Sequence, residues 1–282
     1  MTTAPAPLPG IAPRTIGRTT LRWAGIMGLL AFLVAPMVPL FIWSISFRWF
    51  YPDILPSEYS ARAWEQVISP TNNVIGATGQ TTLIALLCTV LSVLLGVPAG
   101  RALGLHNFKG KRIVEVLILA PIIVPGLAVV LGIDTMFIRY GLSGNILGVT
   151  LVHLVPTLPY MTLVMSGVYA NYDVDYELQA RSLGAGRWAT QRYVTLPAVF
   201  PGVVVGALFT FLISWSQYVL TLLIGDGQVE TLPILLFNFA RSEPAIAGAL
   251  SVVFILPGIL VLLLSSKYLS GDSAAVGGIG NI

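Results

Sequence analysis

Charge is scarce in this sequence. Asp, Glu, Lys and Arg make up 10% of its 282 residues, while 56% are hydrophobic. A soluble domain carries about 25% charged residues, because charge keeps its surface wet. A chain this poor in charge cannot cover a water-facing surface of its size, so lipid is the expected solvent. Cysteine is nearly absent as well. The single Cys88 lies inside an apolar run, which excludes a disulfide framework within the chain. The two histidines, His106 and His153, fall on opposite expected sides of the membrane and cannot share a metal. Glu115 and Asp134 sit near opposite ends of one apolar run and form no carboxylate pair. The net charge of +3 is spread over loops, with no basic stripe interleaved with aromatics, which argues against a nucleic-acid partner. The stretch GATGQTT (Gly76–Thr82) resembles a phosphate loop only faintly, since no Lys precedes its Thr pair. No ATP-hydrolysing motif is present, and no cofactor is expected on this chain.

What the sequence has is long apolar runs. A helix needs roughly 20 apolar residues to cross the hydrocarbon layer. Six stretches qualify: Ala24–Phe47, Thr81–Leu103, Ile113–Phe137, Ile146–Tyr169, Gly202–Ile224 and Ala245–Ser265. The runs are continuous rather than alternating, which favours helices over a barrel. The fold class expected is therefore an all-α membrane protein. Cytoplasmic loops retain Lys and Arg. With the amino terminus inside, the inner segments hold Arg14, Arg18, Arg22, Arg101, Lys109, Lys111, Arg112, Arg181, Arg187, Arg192 and Lys267. The outer segments hold only Arg48, Arg62, Arg139 and Arg241. Both termini are thus expected in the cytoplasm. The first apolar run exceeds the roughly 7–15 residues of a secretion-signal core and lacks a cleavage site, so it reads as a retained anchor.

The expected organisation is a flexible tail at 1–22, a first span at 23–47, a periplasmic loop at 48–79, a five-helix core at 80–266 and a flexible tail at 267–282. In the periplasmic loop, Tyr59, Ala63, Trp64 and Val67 recur at helical spacing, as in a short helix on the membrane surface. The segment Thr231–Pro244 is apolar but too short to span, and reads either as a re-entrant piece beside a pathway or as a packing lid. The span interiors hold Pro98, Pro121, Pro125, Pro156, Pro159 and Pro257, with Gly96, Gly100, Gly126 and Gly258. Proline bends a helix and glycine lets helices approach closely. Charge in mid-membrane, the mark of a proton or ion relay, is essentially missing.

Between the fourth and fifth spans lie about thirty polar, glycine-punctuated residues, far more than a turn needs. Asp173 or Asp175 can cap a helix start. Tyr176, Ala180 and Leu183 follow at helical spacing, Gly184 interrupts, and Ala185, Trp188, Tyr193 and Leu196 form a second series ended by Pro197 and Pro201. The reading is two short helices meeting at a glycine corner. Neither is long enough to be stable alone in water. A partner must pack on them, and Arg181, Arg187 and Arg192 can bond to its carboxylates or carbonyls.

This stretch resembles the cytoplasmic loop of inner-membrane permease subunits from binding-protein-dependent ABC importers of the type I fold. That family's motif reads Glu-Ala-Ala, three residues, Gly-Ala, and after a spacer Ile/Val-x-Leu-Pro. The matching residues are Gln179-Ala180, Arg181-Ser182-Leu183, Gly184-Ala185 and Val194-Thr195-Leu196-Pro197. Leu178 stands at the motif's glutamate position, with Glu177 one residue earlier. The resemblance extends from about Gln80 to Ser265 and implies a bacterial inner-membrane protein without catalytic activity. It implies a second homologous permease subunit, two ABC ATPase subunits that carry ATP and Mg, and an extracytoplasmic substrate-binding protein as partners. It assigns ATPase coupling to the loop 171–200, through Glu177, Ala180, Arg181, Ser182, Leu183, Gly184, Ala185, Arg187, Trp188 and Arg192.

Within the fifth span, Ser214, Trp215, Ser216, Gln217 and Tyr218 either line a translocation pathway or bond between helices. The tail SWSQYVLTLLIGDGQVETLPILLF is most similar to the polyamine-type branch, whose relatives handle iron, thiamine or phosphonates. That implies a polyamine-like or other small solute, with a sugar or polyol next. The runner-up function is a self-contained secondary transporter, which would carry intramembrane charge and inverted repeats.

Overall fold

The computed structural model describes residues 16–50 and 52–269. The expected tails at 1–22 and 267–282 lie largely outside these residues. A first helix nevertheless begins at Ile16 and the last runs to Leu269, so each expected tail is helical where it is described.

The long apolar runs all become helix. They are α1 (Ile16–Val34) continued through a 3₁₀ turn into α2 (Val38–Ser44), then α4 (Val74–Leu105), α7 (Ile146–Ala170), α10 (Leu196–Trp215) and α13 (Pro244–Leu269). Between α2 and α4 come a two-stranded antiparallel hairpin, β1 (Ser46–Arg48) with β2 (Glu58–Tyr59), and the short α3 (Arg62–Ile68). The α3 helix falls where the sequence expects one, and its Ala63 and Val67 are buried in a core cluster with Val74, Ala77, Trp215 and Leu232. The phosphate-loop-like stretch Gly76–Thr82 is the first turns of α4.

The third expected span is not one straight helix. It forms α5 (Lys111–Ile123) and α6 (Gly126–Arg139), bent by 101°. Val124 and Pro125 are both extended, with ψ of 130°. The proline ring disfavours helical backbone in the residue before it, and its nitrogen has no proton to continue the ladder. Among the described residues, five helices are long and apolar enough to cross a membrane, and the bent pair makes a sixth candidate.

The helix α7 is the centre of the bundle. Gly96, Gly100 and Gly104 of α4 lie against it at four-residue spacing. A Cβ added at Gly96 would stand 2.7 Å from Met161 Cγ, and one at Gly104 would stand 2.7 Å from the Ser166 carbonyl oxygen. Gly202 and Gly206 of α10 meet Val168 and Met161 of the same helix. Small residues at this spacing let backbones approach closely where no hydrophobic force drives helices together.

Candidate functional site

The polar loop after α7 folds into α8 (Asp175–Ser182), a corner at Leu183–Gly186, and α9 (Arg187–Thr190). Asp173 Oδ1 accepts from the Asp175 N–H at 2.9 Å and starts α8. The corner is a Schellman cap. The Gly184 N–H bonds to the Arg181 carbonyl and the Ala185 N–H to the Ala180 carbonyl, both at 3.0 Å. Gly184 has φ of +90°, which costs an L-residue strain and glycine almost nothing. The motif-matching Ala180, Gly184 and Ala185, with Arg181 between them, are therefore the residues that close the cap. An added Cβ at Gly184 meets nothing within 4 Å, so backbone conformation, not crowding between the helices, selects glycine here.

The second short helix is not separate. From α9 the chain passes through a π turn (Gln191–Thr195) into α10, giving one helix from Arg187 to Trp215. Pro197 and Pro201 do not end it. Pro197 lies in the first turn of α10 and Pro201 within it. The tip of this knuckle is bare and apolar, with Leu183 90% and Trp188 88% exposed. Leu178, Gln179, Ser182 and Asp175 form the outward face of α8, while Arg181, Arg187 and Arg192 are exposed around it.

Glu177, which the resemblance places in the coupling loop, turns inward. It is 3% exposed and faces the bundle. Arg101 Nη2 at the end of α4 donates to both of its carboxylate oxygens, at 2.8 and 2.9 Å. Thr195 Oγ1 donates at 2.8 Å and Arg181 Nη2 at 3.3 Å. Arg101 Nη1 donates to Gln191 Oε1 at 2.7 Å, and its guanidinium lies 5.7 Å from the centre of the Tyr169 ring. One buried carboxylate thus ties α8 to α4 and to the π turn, and the motif position Leu178 is left facing outward. Arg101, Gln191 and Thr195 were missed by sequence reasoning. A cation inside the last turns of an apolar span was the available signal, since such a charge needs a partner.

At the opposite end of α10 the fifth expected span also breaks. The helix stops at Trp215, and α11 (Val219–Ile224) restarts after three residues. Ser216, Gln217 and Tyr218 of this break line a cleft of about 440 Å³ with Pro121, Val124, Gly126, Pro156 and Tyr160, so the breaks in the third and fifth spans share one space. No lining residue is charged. Ser214 and Trp215 do not line it. Ser214 Oγ lies 2.9 Å from His153 Nδ1, and the Trp215 indole donates to the Phe254 carbonyl at 3.2 Å while stacking on Phe211 and Phe254. His153 is buried and bonds across helices, to Ser214 of α10 and Thr221 of α11. Tyr218 packs on Phe237, 4.7 Å between ring centres, from α12 (Leu232–Ser242). The segment 231–244 is therefore a short helix touching the edge of the cleft.

Residues 96–271 match the family model for the binding-protein-dependent transport system inner membrane component. The molybdenum transport system permease protein ModB of Mycobacterium tuberculosis is 30% identical over 217 residues, covering 72% of this chain and 81% of that protein. The spermidine/putrescine transport system permease protein PotC of Haemophilus influenzae is 25% identical over 202 residues, 71% of this chain and 79% of its own length. A crystal structure of a bacterial ABC transporter involved in the import of the acidic polysaccharide alginate superposes with a TM-score of 0.68 at 19% identity, covering 94% of this chain and 100% of that one. The matched region holds both the knuckle and the cleft, and the fold agrees along nearly the whole chain. The chain belongs to the inner membrane components of binding-protein-dependent transport systems: it is a multi-pass permease subunit of an ABC importer, a family that leaves ATP hydrolysis to a separate subunit.

Proposed function

We propose that the knuckle at 171–200 faces the cytoplasm and receives the thrust of an ABC ATPase subunit, and that the cleft at the two span breaks belongs to the solute pathway. Two such ATPases, binding ATP and Mg, a second homologous permease subunit and an extracytoplasmic binding protein complete the machine. One observation carries this reading. A bare apolar tip, Leu183 and Trp188, stands at the end of a continuous helix whose other end leads directly into Ser216 of the cleft wall. Exposed Leu and Trp at a capped, internally anchored corner are suited to a hydrophobic groove on a partner. A push there moves α10 as one body, and the Glu177–Arg101 bonds carry α4 with it.

The solute is a small polar one. Ser216, Gln217, Tyr218 and Tyr160 offer neutral hydrogen-bonding groups, which hold a polar molecule transiently without selecting the sign of its charge. A molybdenum species and spermidine/putrescine, the cargoes in the relatives' names, are chemically unlike. Selection on the outer binding protein accounts for how one permease design serves both. A polyamine-like or other small solute remains favoured over a sugar. Titrating the binding protein with spermidine, molybdate and a neutral polyol decides among them.

The coupling reading is tested with Trp188→Cys in a Cys88→Ser background. A membrane-impermeant maleimide should label inverted vesicles and spare right-side-out ones. Labelling from the outside would overturn the assignment. In the complex purified through this chain, Gly184→Trp should keep membrane abundance and lose most ATP hydrolysis, whereas unchanged hydrolysis would remove the knuckle from the coupling path.

A further inference from the structure

A break in a spanning helix leaves backbone groups unpaired and its flanking residues free to swing, unless something outside the helix holds both sides. In the fifth span that holder is a single imidazole. Ser214 stands in the last turn of α10 and Thr221 in the first turn of α11, and the His153 ring of α7 bonds both, each at 2.9 Å. The partners assign its tautomer. Thr221 Oγ1 donates its only proton to the Gln217 carbonyl at 3.0 Å, so toward the ring it accepts, and His153 Nε2 carries the proton. Nδ1 then accepts from the Ser214 hydroxyl. The backbone of His153 is fixed in turn. Thr157 Oγ1 donates to its carbonyl at 2.8 Å, which leaves the Cys88 thiol and the Ser92 hydroxyl of α4 to donate to Thr157, each at 3.1 Å. From Ser214 through the His153 ring and Thr221, this buried chain ends on the carbonyl of Gln217, a residue of the cleft wall.

We infer that His153 is a positioning residue for the cleft: by clamping α10 to α11 across the break, it sets the angle at which Ser216, Gln217 and Tyr218 enter it. Apolar packing alone does not specify this angle. Leu220 and Ile224 hold α11 against Val130, Val149 and Val152, but such contacts are non-directional and tolerate rotation, whereas two hydrogen bonds from one rigid ring do not. The inference concerns the geometry of the break and stands whether or not the knuckle couples to an ATPase.

The test uses the complete transporter purified in lipid nanodiscs, with Cys88→Ser and a reporter, Gln217→Cys. The probe is a small water-soluble methanethiosulfonate, and the rate of modification is read by mass spectrometry. Thr221→Val keeps the side chain's shape and removes its bonds to His153 and to the Gln217 carbonyl. His153→Gln keeps an acceptor and a donor on one planar group. His153→Ala and Thr221→Val each lose two buried bonds and should each change the rate at position 217 by about fivefold or more, the factor that loss of even one buried hydrogen bond represents. His153→Gln should return it close to the parent rate. A second reporter, Leu183→Cys at the knuckle tip, should not respond to any of the three. Should His153→Ala fail to reach the membrane, the Thr221→Val and His153→Gln arms decide alone. An unchanged rate with Thr221→Val, or a rate with His153→Gln as altered as with His153→Ala, would overturn the clamp and leave packing as what holds the break.

Discussion

Glu177 is where one side chain decides how the loop is held. A carboxylate removed from water needs its oxygens filled, and here Arg101, Thr195 and Arg181 fill them. Breaking a buried ion pair from one side costs about 3–5 kcal/mol, because the surviving charge is left uncompensated. Arg101 retains partial exposure, which lowers that figure toward about 2–3 kcal/mol. Glu177→Gln removes the charge and turns an N–H₂ donor toward donors. In the purified complex, amide exchange over residues 175–195 should accelerate roughly 30- to 150-fold. Arg101→Lys should fall between parent and Glu177→Gln. Lysine keeps the charge but cannot grip Glu177 and Gln191 together with one planar fork. Exchange in Glu177→Gln within threefold of the parent would show that packing, not this carboxylate, holds the knuckle.

At the scale of elements, the knuckle is a helix stop spelled in a few local residues, and its glycine separates two explanations. If crowding selected Gly184, alanine would be tolerated and only bulky residues would fail. Since φ of +90° selects it, Gly184→Ala should cost about 1–2 kcal/mol and Gly184→Asn less, because asparagine tolerates left-handed backbone. Protease cleavage at the corner of the complex checks the order: parent slowest, Asn next, Ala faster. The same contrast explains what the sequence could show. The spans were legible because apolar length is additive along the chain. The knuckle was legible because its capping residues are local. The break at Val124–Pro125 was signalled by its prolines, but not its 101° bend, after which α5 packs on α7 and α6 on α11, elements distant in sequence. The break at Ser216–Tyr218 lay hidden inside a run apolar enough to span. Pro197 and Pro201 misled in the other direction. A proline costs a continuous helix one backbone bond and bends it without always ending it; a π turn lies just before Pro197, and the helix from Arg187 continues through both prolines. The Glu177 anchor was least visible, since Arg101 lies 76 positions away and only the α4–α7 packing brings it within reach.

For the molecule as a whole, the glycine seam between α4 and α7 sets the distance on which the rest depends. A Cβ at Gly100 would meet Met165 Cβ and stand 2.8 Å from the Ser166 nitrogen, a backbone atom that cannot swing aside. Gly100→Leu therefore pushes the two helices apart, at an overpacking cost of about 1–3 kcal/mol or more. Gly167 on α7 is the control, because an added Cβ there meets nothing within 4 Å. Gly100→Leu should lower the unfolding midpoint of the detergent-solubilised complex by about 5 °C or more, and Gly167→Leu should leave it nearly unchanged. The seam also reaches the knuckle. Arg101 is the next residue along α4, and its bonds of 2.7–2.9 Å to Gln191 and Glu177 have no slack for a helix displaced by the width of a side chain. Gly100→Leu should then speed amide exchange over residues 175–195 as Glu177→Gln does, although no residue of the loop is altered. Combining the two substitutions should add little further, since both release the same anchor. Fully additive exchange rates would mean that the seam and the anchor act independently, and that the knuckle moves without α4.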